Sequence, residues 1–309
     1  MKVRGFFASF FLFLIIVNSS SVVCEARDGD PNVSVNTFVR SVEKVDLSDS
    51  TFSIDFYLVF EVDLNEISLE EAKKFQFVNG EPSIKIFDEN IHGSLAELAY
   101  RVKGDFVTSF ELGGYPFDSH KIEVILDFPL APPNLNLEAV SMVNPEMIII
   151  GWDYKGIESR VFEHSYDGGE NTFDRFVLGI VIQRPMLSTI LKNVLPITVI
   201  AAIALLTFLI SANSPSERIG LGVSTLLSAT AFHLSLLGNI PPTGAFTIAD
   251  GIMLSVYLLH FYSLLISVYL MRLKDREEGV RAENVNRKAI IFLPVIIVIP
   301  IAIAILFNL

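Results

Sequence analysis

The sequence predicts an all-β exported domain followed by an all-α domain of four membrane-spanning helices. Three observations support this fold class. The chain opens with a short basic and apolar segment, its first half alternates strand-like runs with turn residues, and its second half holds four long apolar segments. With 51% hydrophobic residues and a mean hydropathy of +0.51, the chain is too apolar for an ordinary soluble domain.

Residues 1–26 are predicted to be a cleavable secretory signal. Lys2 and Arg4 precede the apolar run FFASFFLFLIIV, and small residues follow up to Ala26, the predicted last residue of the signal. A fifth membrane helix is the alternative, but the apolar run is short and no stop-transfer pattern follows it. Cys24 is the only cysteine of the chain, so the mature chain is expected to have no disulfide.

Residues 27–184 are predicted to form an extracellular sandwich of the immunoglobulin-like type. Runs of β-branched and aromatic residues, separated by Gly, Pro, Asn and Asp, are typical of such a sandwich. These runs lie at 51–62, 106–112, 120–128, 159–166 and 175–183. Residues 66–74 are predicted to form a short helix that begins with a capping box of Ser68 and Glu71.

This domain is strongly acidic. Residues 27–184 contain 13 Lys and Arg against 28 Asp and Glu, a net charge of −15. Such a charge argues against nucleic acid and anionic lipid as partners of the domain. It favours cations, protons or positively charged small molecules.

Four apolar segments after Arg184 are long enough to cross a bilayer, which takes about 20 helical residues. They lie at 187–210, 218–238, 248–271 and 289–308. The linker 272–288 contains six basic residues, whereas 239–247 contains none. The positive-inside rule therefore predicts a multi-pass protein of the plasma membrane, with the linker in the cytoplasm and both the β-domain and the C-terminus outside.

The second apolar segment carries a stripe of small and polar residues at helical spacing. The stripe comprises Glu217, Gly220, Ser224, Leu227 with Ser228, Ala231, Ser235 and Gly238. Several copies of this face around an axis could line a water-filled path, with Leu227 and Ala231 as an apolar gate and Glu217 attracting cations at the cytoplasmic mouth.

Each of these features has an alternative explanation. Small and hydroxylated residues also mark ordinary contacts between membrane helices. Glu217 could instead close a capping box with Ser214, because Pro215 stands at the first helical position. Arg218 is expected to be an anchor at the membrane surface.

Three motifs in this order resemble the pentameric ligand-gated ion channels, the Cys-loop receptor superfamily, and most closely its prokaryotic members. Residues 115–118 (YPFD) match the tip of the signature loop, and residues 183–185 (QRP) match the junction before the first membrane helix. Residues 216–241 match the pore helix and the loop that follows it. The resemblance implies a homopentamer in a lipid bilayer, with a central pore that conducts monovalent cations, because Glu217 stands where the anion channels of the family have Pro-Ala.

The sequence departs from the animal receptors in two places. The paired cysteines of the signature loop would fall at Thr108 and Ile122, so no disulfide closes the loop, as in prokaryotic relatives. The segment before Tyr115 is shorter than usual, and the tryptophan-bearing segments of the agonist site are not recognisable. This departure speaks against a conventional agonist pocket.

The resemblance also implies a set of residues that transmit gating and a candidate ligand site. Arg184 is expected to pair with Asp118 and with Asp49 or Asp46 of the preceding turn. The other coupling residues are Tyr115, Pro116, Phe117, Pro241 and Pro242. The candidate ligand site comprises Phe162, Tyr166 and Phe173, whose aromatic faces could hold a cation, although strand aromatics also pack in sandwiches. Trp152 is expected to have a packing role.

The modulator is left open between a proton, Ca²⁺ bridging carboxylates between subunits, and a small organic molecule. His233 and His260 lie in membrane segments, and each is expected to be a buried neutral side chain that hydrogen bonds a neighbouring helix. The sequence contains no nucleophile elbow, zinc-type histidine spacing or phosphate loop, so we expect neither an enzyme nor a cofactor. A membrane-tethered solute-binding receptor without conduction is the alternative function.

Overall fold

The structure, a computed structural model, describes residues 33–65, 67–128, 137–166, 168, 172–238 and 244–307. The predicted signal, Pro241 and Pro242 lie outside the described residues. Nine strands are found in the described part of the chain. They are β1 (Val33–Asp46), β2 (Thr51–Asp63), β3 (Gln76–Phe77), β4 (Ser83–His92), β5 (Leu95–Val107), β6 (Ser119–Phe128), β7 (Leu137–Val143), β8 (Asp153–Ser165) and β9 (Thr172–Gln183).

The strands form the predicted sandwich. One sheet has five strands in the order β4-β5-β2-β1-β7, and the other has four in the order β3-β6-β9-β8. Only β1 and β7 pair in parallel among the described strands. Alternate residues of β2 point into the core, from Phe52 to Val62, so the strand reads as apolar on one face. Burial of each such side chain stabilises the fold by about 1.5–3 kcal/mol.

Most of the predicted strand runs are confirmed, with one error. Residues 106–112 do not form one strand. β5 ends at Val107 because its partner β2 begins at Thr51, so the ladder stops after the N–H of Thr108 donates to the carbonyl of Ser50 at 2.9 Å. The sequence analysis did not predict β4, because its SIKIFDENIH run mixes charged and apolar residues. β4 is an edge strand that is exposed along its whole length.

The short helix is confirmed in shortened form, Leu69–Ala72. Its capping box is present: the N–H of Glu71 donates to Ser68 Oγ at 3.3 Å, and the N–H of Ser68 donates to Glu71 Oε2 at 3.2 Å. These two bonds satisfy backbone donors that the helix itself leaves free.

Four helices in the described chain are long and apolar enough to cross a membrane, and the chain is a multi-pass membrane protein with an extracellular N-terminal domain. The helices are the first (Met186–Leu209), the second (Pro215–Leu237), the third (Ile248–Asp275) and the fourth (Gly279–Phe307). The first contains a π-helical turn, Ile190–Val194, just before Pro196, which has no N–H for the regular ladder.

The predicted cytoplasmic linker 272–288 is mostly helical, which corrects the boundaries of the third and fourth helices. Only residues 276–278 separate the two helices. Arg272 and Lys274 lie in the last turn of the third helix, where basic side chains favour continuation of the helix by compensating its dipole. The linker is therefore a tight turn between two helices that project beyond the apolar layer.

The third and fourth helices approach closely at Gly251. A Cβ at this position would overlap that of Ala304 and would lie 3.0 Å from the Pro300 carbonyl oxygen. Small residues at such a crossing let two backbones come together in a membrane. This contact fixes the fourth helix against the bundle near its C-terminal end.

Candidate pore and gating junction

The second membrane helix has two distinct faces. The exposed face carries the predicted stripe: Glu217, Gly220, Ser224, Leu227, Ser228, Ala231, Ser235 and Gly238. The buried face carries a different set, comprising Pro215, Arg218, Gly222, Thr225, Ala229 and Leu236. At 100° per residue the two sets point in roughly opposite directions. The helix therefore packs on its own subunit without using the stripe.

The two glycines of this helix show the difference directly. A Cβ at Gly222 would lie 3.0 Å from the Cδ2 of Leu264 on the third helix, so Gly222 serves helix packing. A Cβ at Gly220 would meet nothing within 4 Å. Val223 and Leu237 are also exposed and form an apolar flank beside the stripe.

The hydroxyls of the stripe bond along the helix. Ser224 Oγ donates to the carbonyl of Gly220 at 2.9 Å, and Ser228 Oγ donates to that of Ser224 at 3.1 Å. Because these hydroxyl hydrogens are satisfied locally, their oxygen lone pairs remain available on the exposed face. Leu227 lies between them and is 71% exposed, the one large apolar side chain of the stripe.

Glu217 is exposed at the start of the second helix and does not cap it. The predicted capping box is wrong: Ser214 makes no side-chain cap, and its N–H donates instead to the carbonyl of Ser211 at 3.0 Å. The turn between the first and second helices thus occupies the donor that Glu217 would have accepted from. The carboxylate is left facing solvent at the cytoplasmic end of the stripe.

Arg218 is fully buried, contrary to the expected anchor at the membrane surface. Its Nη1 donates to Asn286 Oδ1 at 2.9 Å, and its guanidinium carbon lies 5.5 Å from the ring centre of Phe208. Asn286 belongs to the fourth helix, and Phe208 to the end of the first. No sequence pattern indicated a role for Asn286, which lies in the predicted linker.

The predicted ion pair between Arg184 and Asp118 is confirmed. Arg184 Nε donates to Asp118 Oδ1 at 2.5 Å, and the side chain of Asp118 is 1% exposed. His120 Nε2 lies 2.6 Å from the second carboxylate oxygen. Burial alone would raise the pKa of Asp118, but the hydrogen bond from His120 and the charge of Arg184 outweigh it and lower that pKa below its ordinary value.

Two aromatic rings flank the guanidinium of Arg184. Its carbon lies 4.6 Å from the ring centre of Trp152 and 4.9 Å from that of Tyr115. His120 in turn meets Trp152 and Phe110 edge to face, at 5.2 and 5.1 Å. Trp152 therefore does more than pack, since cation–π contact stabilises a charge taken out of water. Sequence reasoning missed His120 altogether.

The other predicted acidic partners of Arg184, Asp46 and Asp49, do not pair with it. Asp46 forms an ion pair with Lys44 at 2.7 Å and accepts the N–H groups of Ser48 and Asp49. No ion pair joins Asp46 or Asp49 to Arg184 within the described ranges. The turn is held by local bonds because its own residues satisfy the carboxylate first.

The YPFD loop contacts the membrane helices directly. The N–H groups of Ile248 and Ala249 donate to the carbonyls of Gly113 and Tyr115, each at 3.0 Å. The loop thereby satisfies two donors at the start of the third helix. The buried ring of Tyr115 belongs to one apolar cluster with residues of the first, second and third helices. Its other members are Ile197, Ala229, Leu236, Ala249, Met253 and Val256.

Pro116 and Phe117 complete this loop, and the peptide bond before Pro116 is cis. Pro116 lines a narrow cleft with Leu236 of the second helix and Ala249 of the third. The loop of the β-domain therefore lies against the same helix that carries the stripe.

The candidate ligand aromatics are only partly brought together. Tyr166 and Phe173 meet edge to face at 5.6 Å, whereas Phe162 packs beneath the guanidinium of Arg160 at 5.5 Å. The hydroxyl of Tyr166 donates to Asp127 at 2.7 Å and accepts from Arg175 at 2.6 Å. Sequence reasoning missed both of these charged partners.

The charged and polar partners of Asp127 favour the ionised form of its carboxyl group. Burial would raise the pKa of Asp127, but hydrogen bonds from Arg175 and Tyr166 outweigh it and lower that pKa. Asp127 is therefore an anion that already has a cation beside it. Across the described residues, no group of three or more His, Cys, Asp or Glu side chains is arranged to hold a metal ion.

The two membrane histidines differ. His233 Nδ1 lies 2.9 Å from the hydroxyl of Tyr257 on the third helix, as predicted. His233 is half-buried, whereas His260 is fully buried. The Nδ1 of His260 bonds the carbonyl of Val256 on its own helix at 2.7 Å, so the predicted bond to a neighbouring helix is wrong there. The i to i−4 spacing brings that carbonyl within reach before any other helix.

A β-sandwich joined through a half-buried arginine to four membrane helices is typical of one class of protein, the subunits of receptor-type channels. Residues 193–299 match the family described as the neurotransmitter-gated ion-channel transmembrane region. A proton-gated ion channel of Gloeobacter violaceus is 22% identical over 86% of this chain and 81% of its own length. The γ-aminobutyric acid receptor subunits pi of Bos taurus and Mus musculus are 29% and 28% identical, over 37% of this chain and 28% of theirs.

These comparisons support the resemblance to the pentameric ligand-gated ion channels, the Cys-loop receptor superfamily. The chain's single cysteine, Cys24, agrees with the absence of the loop disulfide. The family consists of ion channels rather than enzymes, and the comparisons do not favour the alternative of a tethered receptor without conduction.

Proposed function

We propose that this chain forms a homopentameric, ligand-gated, cation-selective channel in which the second membrane helix lines the pore. The observation that carries the proposal is the division of small residues between two faces of that helix. Gly222, Thr225 and Ala229 make the helix contacts, and Gly220 and Ser224 do not. Small residues needed only for packing would be buried. Five copies around an axis would turn the stripe toward water.

Leu227 and Ala231 are proposed as the gate. Leu227 is the only large apolar side chain of the stripe. The hydroxyl of Ser224 precedes it by about one helical turn, and that of Ser228 belongs to the next residue. A ring of five leucines at the middle of the membrane would exclude water and ions by dewetting, and the small Ala231 would continue the apolar zone outward.

Glu217 is proposed as the selectivity residue. Its carboxylate is exposed and has no hydrogen-bond partner in the described part of the chain, so capping does not explain it. A ring of five carboxylates at the inner mouth would raise the local concentration of cations and repel anions.

Gating is proposed to pass through the junction. Asp118 and Arg184 hold the β-domain to the start of the first helix, while Tyr115, Pro116 and Phe117 lie against the bundle. Because Tyr115 shares its apolar cluster with Ala229 and Leu236, a displacement of the loop would reach the pore helix by direct contact. Asp49, Pro241 and Pro242 remain proposed members of this coupling region by family resemblance.

The stimulus is proposed to be a cation, a proton or a small organic molecule. Phe162, Tyr166 and Phe173 present aromatic faces around the end of β8, and the similar Gloeobacter protein is proton-gated. A Ca²⁺ ion would need carboxylates from two subunits, since one chain offers no cluster of ligands among its described residues.

The gate is tested with Leu227→Ser in planar bilayers. A ring of hydroxyls would wet the constriction, so the variant should leak or open with a weaker stimulus than the wild type. Leu237→Ser is the matched control, because Leu237 is an exposed leucine of the same helix on the apolar flank. Equal currents in Leu227→Ser and the wild type would remove Leu227 as the gate.

Selectivity is tested with Glu217→Ala and Glu217→Asp. Loss of the carboxylate ring should move the reversal potential under a salt gradient toward zero, whereas the aspartate variant keeps the charge and should keep the cation preference. An unaltered reversal potential in Glu217→Ala would contradict the assigned role.

A further inference from the structure

The cytoplasmic end of the second helix carries two adjacent opposite charges that differ in their exposure to solvent. Glu217 is exposed, and Arg218, the next residue, is fully buried about 100° around the helix. These are the only Asp, Glu, Lys or Arg residues of the second helix. If both faced the mouth of the pore, their charges would cancel.

A single side chain outside the second helix bonds Arg218. Its Nη1 donates to Asn286 Oδ1 at 2.9 Å, with a long contact of 3.5 Å to the carbonyl of Ile210. Asn286 Nδ2 donates to the carbonyl of Phe208 at 3.1 Å, which fixes the orientation of the amide. No carboxylate pairs with Arg218 in the described ranges, and its Nε and Nη2 have no partner there.

The guanidinium of Arg218 is weakly held, so moving it from the bundle into water would cost little free energy. A buried charge is costly unless it is paired and hydrogen-bonded, and here one neutral amide and one aromatic face supply the compensation. Its long flexible stem lets a guanidinium reach water from a buried Cα. Arg218 lies in the first turn of the second helix, next to the exposed Glu217, so its stem needs to extend only past the end of the helix.

We propose that Asn286, on the fourth membrane helix, is a positioning residue for ion selectivity. It holds Arg218 withdrawn into the bundle, so that Glu217 alone sets the charge at the inner mouth. The inference rests on the proposed cation-selective pore and extends it to a residue that lies outside the pore-lining helix. Loss of the amide would release five guanidinium groups toward the five carboxylates and cancel the field that attracts cations.

The test is the reversal potential of Asn286→Ala in planar bilayers under a salt gradient. The ratio of cation to anion permeability is expected to fall at least threefold, because Arg218 joins the mouth. Asn284→Ala is the matched control: Asn284 is exposed on the same helix one half-turn earlier and should retain the wild-type ratio. A purely structural role of Asn286 would lower the current or the yield of pentamer without moving this ratio.

A double variant identifies Arg218 as the agent. In Asn286→Ala combined with Arg218→Met, no cation remains to be released, so the permeability ratio should return to the wild-type value. An unchanged ratio in Asn286→Ala, or no recovery in the double variant, would overturn the inference. If Asn286→Ala does not assemble, the near-isosteric Asn286→Leu replaces it, and failure of both to form pentamers would assign Asn286 a structural role and also overturn the inference.

The wild type separates this inference from the proposed function. A wild-type channel without cation preference would overturn the proposed function itself. A cation-selective wild type whose permeability ratio ignores both changes at Asn286 would overturn only the role of Asn286.

Discussion

Arg184 and Arg218 lie at opposite ends of the membrane domain and are held in different ways. Arg184 has a buried carboxylate partner, Asp118, and two aromatic rings against its guanidinium. Arg218 has an amide partner and one ring. Arg184 is part of an ion pair that joins the two domains. Arg218 is buried inside the helix bundle, and no carboxylate pairs with it among the described residues. The two arginines therefore differ in partner and in burial: the half-buried Arg184 has a carboxylate, and the fully buried Arg218 has a neutral amide.

The largest effect is expected when the outer pair is broken. Arg184→Ala leaves Asp118 buried without its cation, which should cost about 3–5 kcal/mol. Arg184→Lys keeps the charge but loses the stacking on Trp152, so it should fall between the alanine variant and the wild type. Thermal unfolding of the purified pentamer measures both. An alanine variant as stable as the wild type would show that the pair does not hold the junction.

A smaller effect, and in the opposite direction, is expected at the inner arginine. Arg218→Met replaces a buried charge that has no ionic partner with an apolar side chain of similar length, and such exchanges are often neutral or stabilising. The thermal midpoint should be unchanged or raised. A loss as large as that of Arg184→Ala would erase the distinction between the two arginines.

The smallest effect concerns pH. The folded-state pKa of Asp118 is lowered, so its contribution to stability is present above its ordinary pKa of about 3.9 and is lost as the pH falls through the folded value. The midpoint temperature of unfolding, measured from pH 7 downward, should therefore begin to decrease at about pH 4. Asp118→Asn, which cannot titrate there, should start lower and show a flatter decline. Parallel curves would mean that the carboxylate is not stabilised by folding.

Most of the fold could be predicted because its strands and helices have a regular spacing of apolar residues in the sequence. The four membrane segments, the strand runs around 51–62 and 120–128 and the capping box of Ser68 and Glu71 all depend on local patterns. The exposed strand β4 and the helical linker were not predicted, because neither segment shows a regular spacing of apolar residues. The strand expected at 106–112 ends at Val107 because its partner β2 begins at Thr51, and no local pattern in 106–112 reveals where that distant partner begins.

The candidate site divides in the same way. The stripe and the pair of Arg184 with Asp118 could be predicted, the first from helical spacing and the second from resemblance. Asn286 and Arg175 could not, because their partners are distant in the sequence. His120 is only two residues from its partner Asp118, but no recognisable motif marks the pair. The predicted cap at Glu217 failed because the turn before the helix uses the N–H of Ser214 for its own backbone bond.

The most direct test of the central claim is the reversal potential of the purified wild-type protein in planar bilayers under a tenfold salt gradient. It should be scanned over pH, with Ca²⁺ added or chelated. A pore governed by Glu217 predicts a value approaching the cation equilibrium potential, about 59 mV in magnitude for a monovalent ion. A value on the anion side would contradict the account.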